Sequence, residues 1–309
     1  MSRRPAGSSG GASSPSFMRL CAIDVGSNTV RLLVADVLGP GAWHIADQDQ
    51  TITRLGENLA HTGTLGEAPM ARTLAAVRAF VERASRLGVR DIRIVATSAV
   101  REVEARLTLR GVRYGLGALS GSMLTFDIGG GSTEYVLSRG DEVRAMISLR
   151  LGVVPLAERF AFPALVPRAR YRELEDEVRR RLDRELPEAI RTARVEHLVG
   201  TAGTVTALAA LDLGLVRYDP DRVHGHVLRR AAVERLLERL CGLTLEERAA
   251  LPCLEPGRAD LIIPGTAIVM ATLDQMAIDQ LRVSEYGLRE GVLVDAIEDR
   301  HGSRPGAAP

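Results

Sequence analysis

The chain has 309 residues, a length that suggests two lobes rather than one small domain. Its formal net charge of +1 gives no basic field for nucleic acid, and 46% hydrophobic residues is ordinary for a globular protein. All 40 basic residues are Arg, which excludes chemistry that depends on Lys, such as a Walker P-loop or a Schiff base.

The two ends of the sequence have the composition of disordered tails. Residues 1–17 are rich in Gly, Ser and Pro and have no apolar core of a signal peptide, and residues 300–309 have a similar composition. The longest apolar stretch, 205–216, is too short to span a membrane. We therefore expect no membrane contact and a cytoplasmic location. The three Cys and six His match no metal-binding motif.

The first third of the chain alternates strands and helices. The sequence RLCAIDV predicts a buried strand that ends near Asp24, and a short Gly-Ser-Asn turn leads into a second strand. Strands are predicted at 19–25, 30–37, 43–55 and 91–99, and helices at 70–87 and 103–116. The strand at 91–99 follows a helix, so we expect it to run parallel to the first strand.

A second cycle of the same pattern begins at residue 123. MLTFDIGGGSTEYVL repeats the order strand, Asp, Gly/Ser/Thr turn, strand, which indicates two related lobes that each open with a phosphate-binding hairpin. HLVGTAGTVTALAAL then predicts a strand, a turn and a helix. Further helices are predicted at 168–186, 228–240, 245–250, 257–276 and 288–299.

The first loop follows Asp24. Gly26 allows the backbone to approach a phosphate closely, and Ser27, Asn28 and Thr29 supply hydrogen-bond donors. Asp24, at the end of a strand, could hold a metal ion or a metal-bound water. The alternative is an ordinary hairpin turn, since Ser-Asn is common in turns.

The second loop follows Asp127 and contains three consecutive glycines, Gly129, Gly130 and Gly131. Successive N–H groups in such a turn form an anion-binding nest, whereas a purely structural turn seldom needs three glycines. Ser132 adds a hydroxyl donor and Glu134 a carboxylate. This loop therefore favours a phosphate-binding function.

A third loop contains Gly200, Thr201 and Gly203. It leads from a strand into a helix, so the free N–H groups at the start of that helix could face an anion. A tight strand–helix turn with no ligand is the alternative.

These motifs together resemble one phosphatase family. DVGSNTVRLLVADV, VATSAVR, EARL, DIGGGSTEYVL, GTAGTVTAL, GRADLIIPG and VSEYGLREG, in this order, are similar to the exopolyphosphatase / guanosine pentaphosphate phosphohydrolase family, within the actin–sugar kinase–Hsp70 superfamily. The resemblance covers about residues 18–298. It implies an α/β fold with two RNase H-like (actin-like ATPase) lobes, at 18–121 and 122–299, and an active site in the cleft between them.

The resemblance also implies an activity and a set of roles. The reaction is hydrolysis of a terminal phosphoanhydride of inorganic polyphosphate or guanosine pentaphosphate, with Mg²⁺ as cofactor. Arg101 matches the arginine that binds the substrate phosphate, and Glu104 matches the glutamate that orients or deprotonates the attacking water. Asp24, Asp127 and Glu134 match the carboxylates near the metal, with Asp127 also counted as catalytic.

The sequence departs from the family between Arg101 and Glu104, which lie three residues apart where the family has a helix and a further strand. Such an excursion leaves and returns at the same end of a sheet, so we expect Glu104 to stay near the cleft. The strand at 91–99 then becomes a sheet edge, with Ile92, Ile94 and Val95 less covered. We expect either reduced stability or a partner on that edge, such as a second copy in a homodimer.

Two other functions compete with hydrolysis. The shortened lobe could bind polyphosphate or a guanosine alarmone without turnover, as a regulatory protein. An ATP-using kinase or actin-like ATPase is the third alternative, which Ser27-Asn28-Thr29 and SEYGLREG disfavour.

Overall fold

The computed structural model describes residues 18–39, 42–96 and 101–301, apart from the side chains of residues 60, 101, 102 and 301. Within this part of the chain, the strands form two sheets, and the predicted α/β fold with two sheet-based lobes is confirmed. The strands are β1 Met18–Val25, β2 Thr29–Gly39, β3 Ala42–Ile52, β4 Asp91–Ala96, β5 Ser122–Ile128, β6 Thr133–Arg139, β7 Glu142–Leu149, β8 His197–Thr201, β9 Val227–Arg229 and β10 Gln280–Ser284.

The two sheets share a topology, but the first is shorter. The first sheet has the order β3-β2-β1-β4, in which β1–β3 are antiparallel and β4 is parallel to β1. The second has the order β7-β6-β5-β8-β10-β9, in which β10 continues parallel to β8. The counterpart of β10 is therefore missing from the first sheet as described, at the position where the sequence lacks a helix and a strand.

The helices fill the connections and cover both sheets. They are α1 Leu59–Thr62, α2 Glu67–Arg86, α3 Arg101–Leu116, α4 Val153–Arg159, α5 Arg168–Glu185, α6 Glu188–Arg191, α7 Ala202–Asp212, α8 Pro220–Val223, α9 Arg230–Cys241, α10 Leu245–Ala249, α11 Ile262–Gln275 and α12 Leu288–His301. No described helix combines the length and the apolar character that crossing a bilayer requires.

The first sheet lies between α2 and α12. Phe80 of α2 packs with Ile23 on one face, and Leu293 of α12 packs with Leu20 and Leu33 on the other. The last helix of the chain thus completes the core of the first sheet.

Helix α3 makes the opposite connection. Its buried residues Ala105, Leu109 and Val112 pack with Met123 and Val136 of the second sheet. Helices α3 and α12 also contact each other closely, because a Cβ on Gly111 would overlap the carbonyl of Gly287. The largest core lies around α7 and α11 on the second sheet.

Strand β4 is an edge of the first sheet, as the sequence predicts. Ile94 is 52% exposed. Ile92 and Val95 are only partly buried, against the cores beneath α2 and α12 respectively. Residues 97–99 of the predicted strand lie outside the described residues.

Two predicted helices begin later than expected. The helix predicted at 228–240 is preceded by β9, because Leu228 pairs with Leu281 of the distant strand β10. The helix predicted at 257–276 opens as a short 3₁₀ turn at Pro256–Arg258 and continues as α11.

Candidate active site

A cavity of about 620 Å³ lies between the two sheets and is lined by loops from both. Fourteen of the predicted site residues line it: Asp24, Gly26, Ser27, Asn28, Thr29, Glu104, Asp127, Gly129, Gly130, Gly131, Ser132, Glu134, Thr201 and Gly203. The predicted phosphate loops, the predicted base and the predicted metal ligands are thus brought to one place.

The first two loops contact each other directly. A Cβ on Gly130 would lie 3.0 Å from the Cβ of Asn28, and a Cβ on Gly131 would lie 2.9 Å from the Ser27 Oγ. Any larger residue would therefore push the loops apart. The glycines predicted for phosphate binding are also required for this loop–loop contact.

The loop carbonyls are occupied by neighbouring backbone. The Asn28 carbonyl accepts hydrogen bonds from the N–H groups of Thr53 (2.9 Å) and Arg54 (3.0 Å). In the second loop the Gly130 carbonyl accepts one from Val154 N–H at 2.8 Å.

Some amide N–H groups of the two loops, unlike these carbonyls, are not engaged by neighbouring backbone among the described residues. The N–H groups of Ser27, Asn28, Gly130 and Gly131 have no acceptor among the described residues. With the carbonyls held by neighbouring backbone and these donors unused, the paired loops are suited to bind an anion.

The third loop contributes Thr201 and Gly203 but not Gly200. Gly200 lies within β8 and does not line the cavity; a Cβ there would lie 2.9 Å from the ring of Phe126, so the residue is Gly for packing. Its role in phosphate binding stays a prediction, and the structure shows a packing role for it. Ala202, at the start of α7, has a φ of 68°, a conformation that non-Gly residues adopt at an energetic cost and that often marks functional sites.

Two partly buried carboxyl groups, those of Asp24 and Asp127, line the cavity. Burial raises the pKa of Asp24, and Arg31 opposes that shift. Burial and the nearby Glu134 raise the pKa of Asp127 to about 7, again against Arg31. The Asp24 Oδ1 has no hydrogen-bond partner among the described residues. This oxygen of Asp24 therefore lacks the hydrogen bond that a buried anion needs.

Glu134 is held in place by two serines. Its Oε1 accepts hydrogen bonds from Ser132 Oγ at 2.7 Å and from Ser148 Oγ. Ser148 lies on β7, directly opposite Glu134 on β6. The neighbouring strand thus fixes the orientation of this carboxylate.

The described carboxylate oxygens of the cavity are ligands that Mg²⁺ prefers, but they do not form a complete coordination sphere. No described group of three or more His, Cys, Asp or Glu is close enough to hold a metal ion alone. Mg²⁺ commonly takes one or two protein carboxylates and fills its remaining positions with water and substrate phosphate. The unpartnered oxygen of Asp24, with Asp127 nearby, fits that arrangement.

Glu104 lines the same cavity as Asp24 and Asp127, from the first turn of α3. The missing segment has therefore not removed it from the cleft, as the crossover geometry predicts. Arg101 begins α3, but its side chain lies outside the described residues.

Three arginines that we had not assigned also line the cavity: Arg31, Arg258 and Arg289. Arg258 packs against Gly203, where no Cβ would fit, and its Nε donates to Glu255 at 2.6 Å. Burial lowers the pKa of Arg258, and Arg31 adds to that shift. These partly buried cations at one cavity are suited to an anion with several charges. Their signal in the sequence is their position in DVGSNTVR, GRADLIIPG and SEYGLREG.

Comparison with known proteins identifies the family of this chain. The sequence profile of the Ppx/GppA phosphatase family matches residues 34–104 and 102–300. Exopolyphosphatase 2 of Mycobacterium tuberculosis is 35% identical over an alignment that covers 89% of this chain and 97% of that protein. The two matched segments of the profile meet at the shortened connection before Glu104.

Solved structures show the same likeness. The Ppx/GppA family member from Aquifex aeolicus has a TM-score of 0.77 and 31% identity, over 92% of this chain and 99% of that one. An exopolyphosphatase from Cytophaga hutchinsonii has a TM-score of 0.83 and 25% identity, over 91% of this chain and 98% of that one. Paired loops around one cavity, together with sequence and structural matches along nearly the whole described chain, show that the chain belongs to the Ppx/GppA phosphatase family.

Proposed function

We propose that this protein hydrolyses the terminal phosphoanhydride of inorganic polyphosphate and releases orthophosphate. The observation that carries the proposal is that unused amides of two loops and the carboxylate of Glu104 line one cavity. The relatives named as exopolyphosphatases support the substrate class.

Each part of the cavity has a role in this reaction. The amides of Ser27 and Gly130, on opposite loops, would hold the terminal phosphate, and Arg31 and Arg258 would offset its charge. Glu104 would orient the attacking water and accept its proton as the phosphoanhydride breaks. Phosphoryl transfer depends mainly on such positioning and charge neutralisation, with little covalent chemistry for the protein to supply.

The charge of the cavity supports a role for Mg²⁺. Eight carboxylic side chains line it against the three arginines: Asp24, Asp49, Glu104, Asp127, Glu134, Glu255, Glu285 and Glu290. A polyanionic substrate would be repelled unless a cation entered with it. Asp24 and Asp127 would hold Mg²⁺, with Glu134 holding one of its waters, and the ion would neutralise charge on the phosphates.

Phosphate release from polyphosphate tests the proposal, with Glu104→Gln as the variant. We expect this variant to lose about 10²–10⁴-fold in kcat, the usual contribution of a general base, while retaining polyphosphate binding. Glu82→Gln, on the exposed surface of α2, is the matched control and should retain full activity. Full activity in Glu104→Gln would show that another group activates the water. Binding by the wild type without release would favour the regulatory binder.

Guanosine pentaphosphate is a second candidate substrate. Beyond the phosphate loops, one wall of the cavity contains Tyr218, Pro220 and Leu254, which provide aromatic and apolar surface for a base. Comparing kcat/KM for the two substrates in wild type and Tyr218→Ala tests this wall. A loss of kcat/KM that is confined to guanosine pentaphosphate would show that this wall contacts the guanine base.

A further inference from the structure

The edge strand β4 has a free side where the second sheet has another strand. β4 pairs with β1, and the equivalent strand β8 pairs with both β5 and β10. One side of β4 therefore presents its backbone N–H and C=O groups without a strand partner among the described residues. Such an edge is a template for pairing with another strand.

The other edge of the same sheet is protected, and β4 is not. Strand β3 exposes polar residues such as Gln48, Asp49 and Gln50, and its pairing with β2 has register shifts. These features discourage pairing between molecules. In β4, Ile94 is 52% exposed, somewhat more than Ile45 of β3 at 41%. Burial of this strand would remove apolar surface from water.

Neither end of the sequence offers a suitable strand to cover β4. Residues 1–17 are dominated by Gly, Ser and Pro, and residues 302–309 contain two prolines. Proline cannot donate to a sheet ladder and glycine weakens one, so neither end has the sequence of a pairing strand. The charged residues of β4 instead suit pairing with the β4 strand of a second copy of the chain.

We propose that two copies of the chain pair through antiparallel β4 strands across a twofold axis at Ile92. In this register Asp91 of each copy lies directly opposite Arg93 of the other, which gives two cross-strand pairs of opposite charge. Residues directly opposite each other in an antiparallel pair share a face and interact. A register centred on Arg93 would instead place two guanidinium groups together. The two first sheets would form one continuous sheet.

The side chains needed for this pairing reach the surface to different degrees, since Asp91 is only 19% exposed. The Arg93 side chain is 47% exposed, and its Nε donates to Asp91 Oδ1 of the same strand at 3.1 Å. Arg300 of α12 also donates to Asp91. The pKa of Asp91 is lowered, with hydrogen bonds from Arg93 and Arg300 acting against burial, so this carboxylate remains ionised. In the dimer, Arg93 of the other copy would be the third arginine at this carboxylate, after Arg93 and Arg300 of its own chain.

Charge reversal tests both the surface and the register. The molecular mass of wild type, Arg93→Asp and Asp91→Arg would be measured by sedimentation equilibrium over a range of concentrations. Wild type should dimerise, whereas each variant places two like-charged pairs at the interface and should be monomeric. An equimolar mixture of the two variants should form a heterodimer, because each cross-strand pair is then again of opposite charge. Arg86→Asp, exposed on α2, should dimerise like wild type.

The mixture excludes a merely structural explanation, because neither variant regains its own Asp91–Arg93 pair in it. Should Asp91→Arg fold poorly without its contact to Arg300, Ile94→Lys provides a second test. It should prevent dimerisation, while Leu74→Lys, an equally surface-exposed apolar position on α2, should not. A monomeric wild type, a variant that dimerises like wild type, or a mixture that stays monomeric would overturn the proposal.

Discussion

At the residue scale, Asp127 makes the stability of the protein depend on pH. Its pKa rises from 3.8 to about 7 on folding, so between these values the native state keeps a proton that the unfolded state has lost. Stability therefore falls as pH rises through this window, by about 4 kcal/mol at most. We expect urea unfolding without divalent ions to show this decrease between pH 4 and 7, and Asp127→Asn to reduce it. An unchanged pH dependence in the variant would contradict the assignment.

Because Asp127 is a ligand of the proposed Mg²⁺ site, the effect of Mg²⁺ on stability should depend on pH. A metal ion requires ionised ligands, so binding at Asp127 should strengthen as pH rises through about 7. We expect Mg²⁺ to raise the thermal midpoint more at pH 8 than at pH 6, and to have little effect on Asp127→Asn. Asp279→Asn, at an exposed position between α11 and β10, is the control and should retain the full response. An equal response in Asp127→Asn would place the ion elsewhere.

Local signals were enough to predict the two loops that line the cavity but not the arginines beside them. Asp24 and Asp127 end buried strands and precede Gly/Ser turns, and each of these features can be seen within a few residues. Arg31 and Arg258 are two among 40 basic residues, and only the folded chain brings them to one cavity. The contact of Gly200 with Phe126 was likewise not predictable, because Phe126 lies on a neighbouring strand that is distant in the sequence.

At the element scale, the crossing of α3 and α12 depends on two glycines. A Cβ on Gly111 would overlap the Gly287 carbonyl, and one on Gly291 would overlap the Leu107 carbonyl. Alanine usually stabilises a helix relative to glycine by about 1 kcal/mol. Here we expect Gly111→Ala and Gly291→Ala to destabilise the protein by roughly 1–3 kcal/mol through overpacking.

Chemical denaturation checks this prediction. Gly39→Ala, at a site where an added Cβ meets no atom within 4 Å, is the control and should leave stability nearly unchanged. Should both helix variants be as stable as wild type, the two helices must be able to separate without loss of stability.

The element pattern was predictable for α2, which is amphipathic, but not for β9, whose partner β10 lies some fifty residues away.

At the scale of the whole molecule, the sequence predicted the paired sheets and the shortened first one, because the repeated strand–Asp–turn pattern and the missing segment are both visible in it. It did not predict that α12 covers the first sheet, since an apolar helix face does not reveal which sheet it will meet.

That position of α12 has a consequence for synthesis on the ribosome. Strands β1 and β2 emerge first, but Leu20 and Leu33 on one of their faces wait for Leu293 at the other end of the chain. The first sheet therefore cannot reach its native packing until α12 has been synthesised. Nascent chains should keep that apolar face open until then, which makes it a natural binding site for a chaperone during that time.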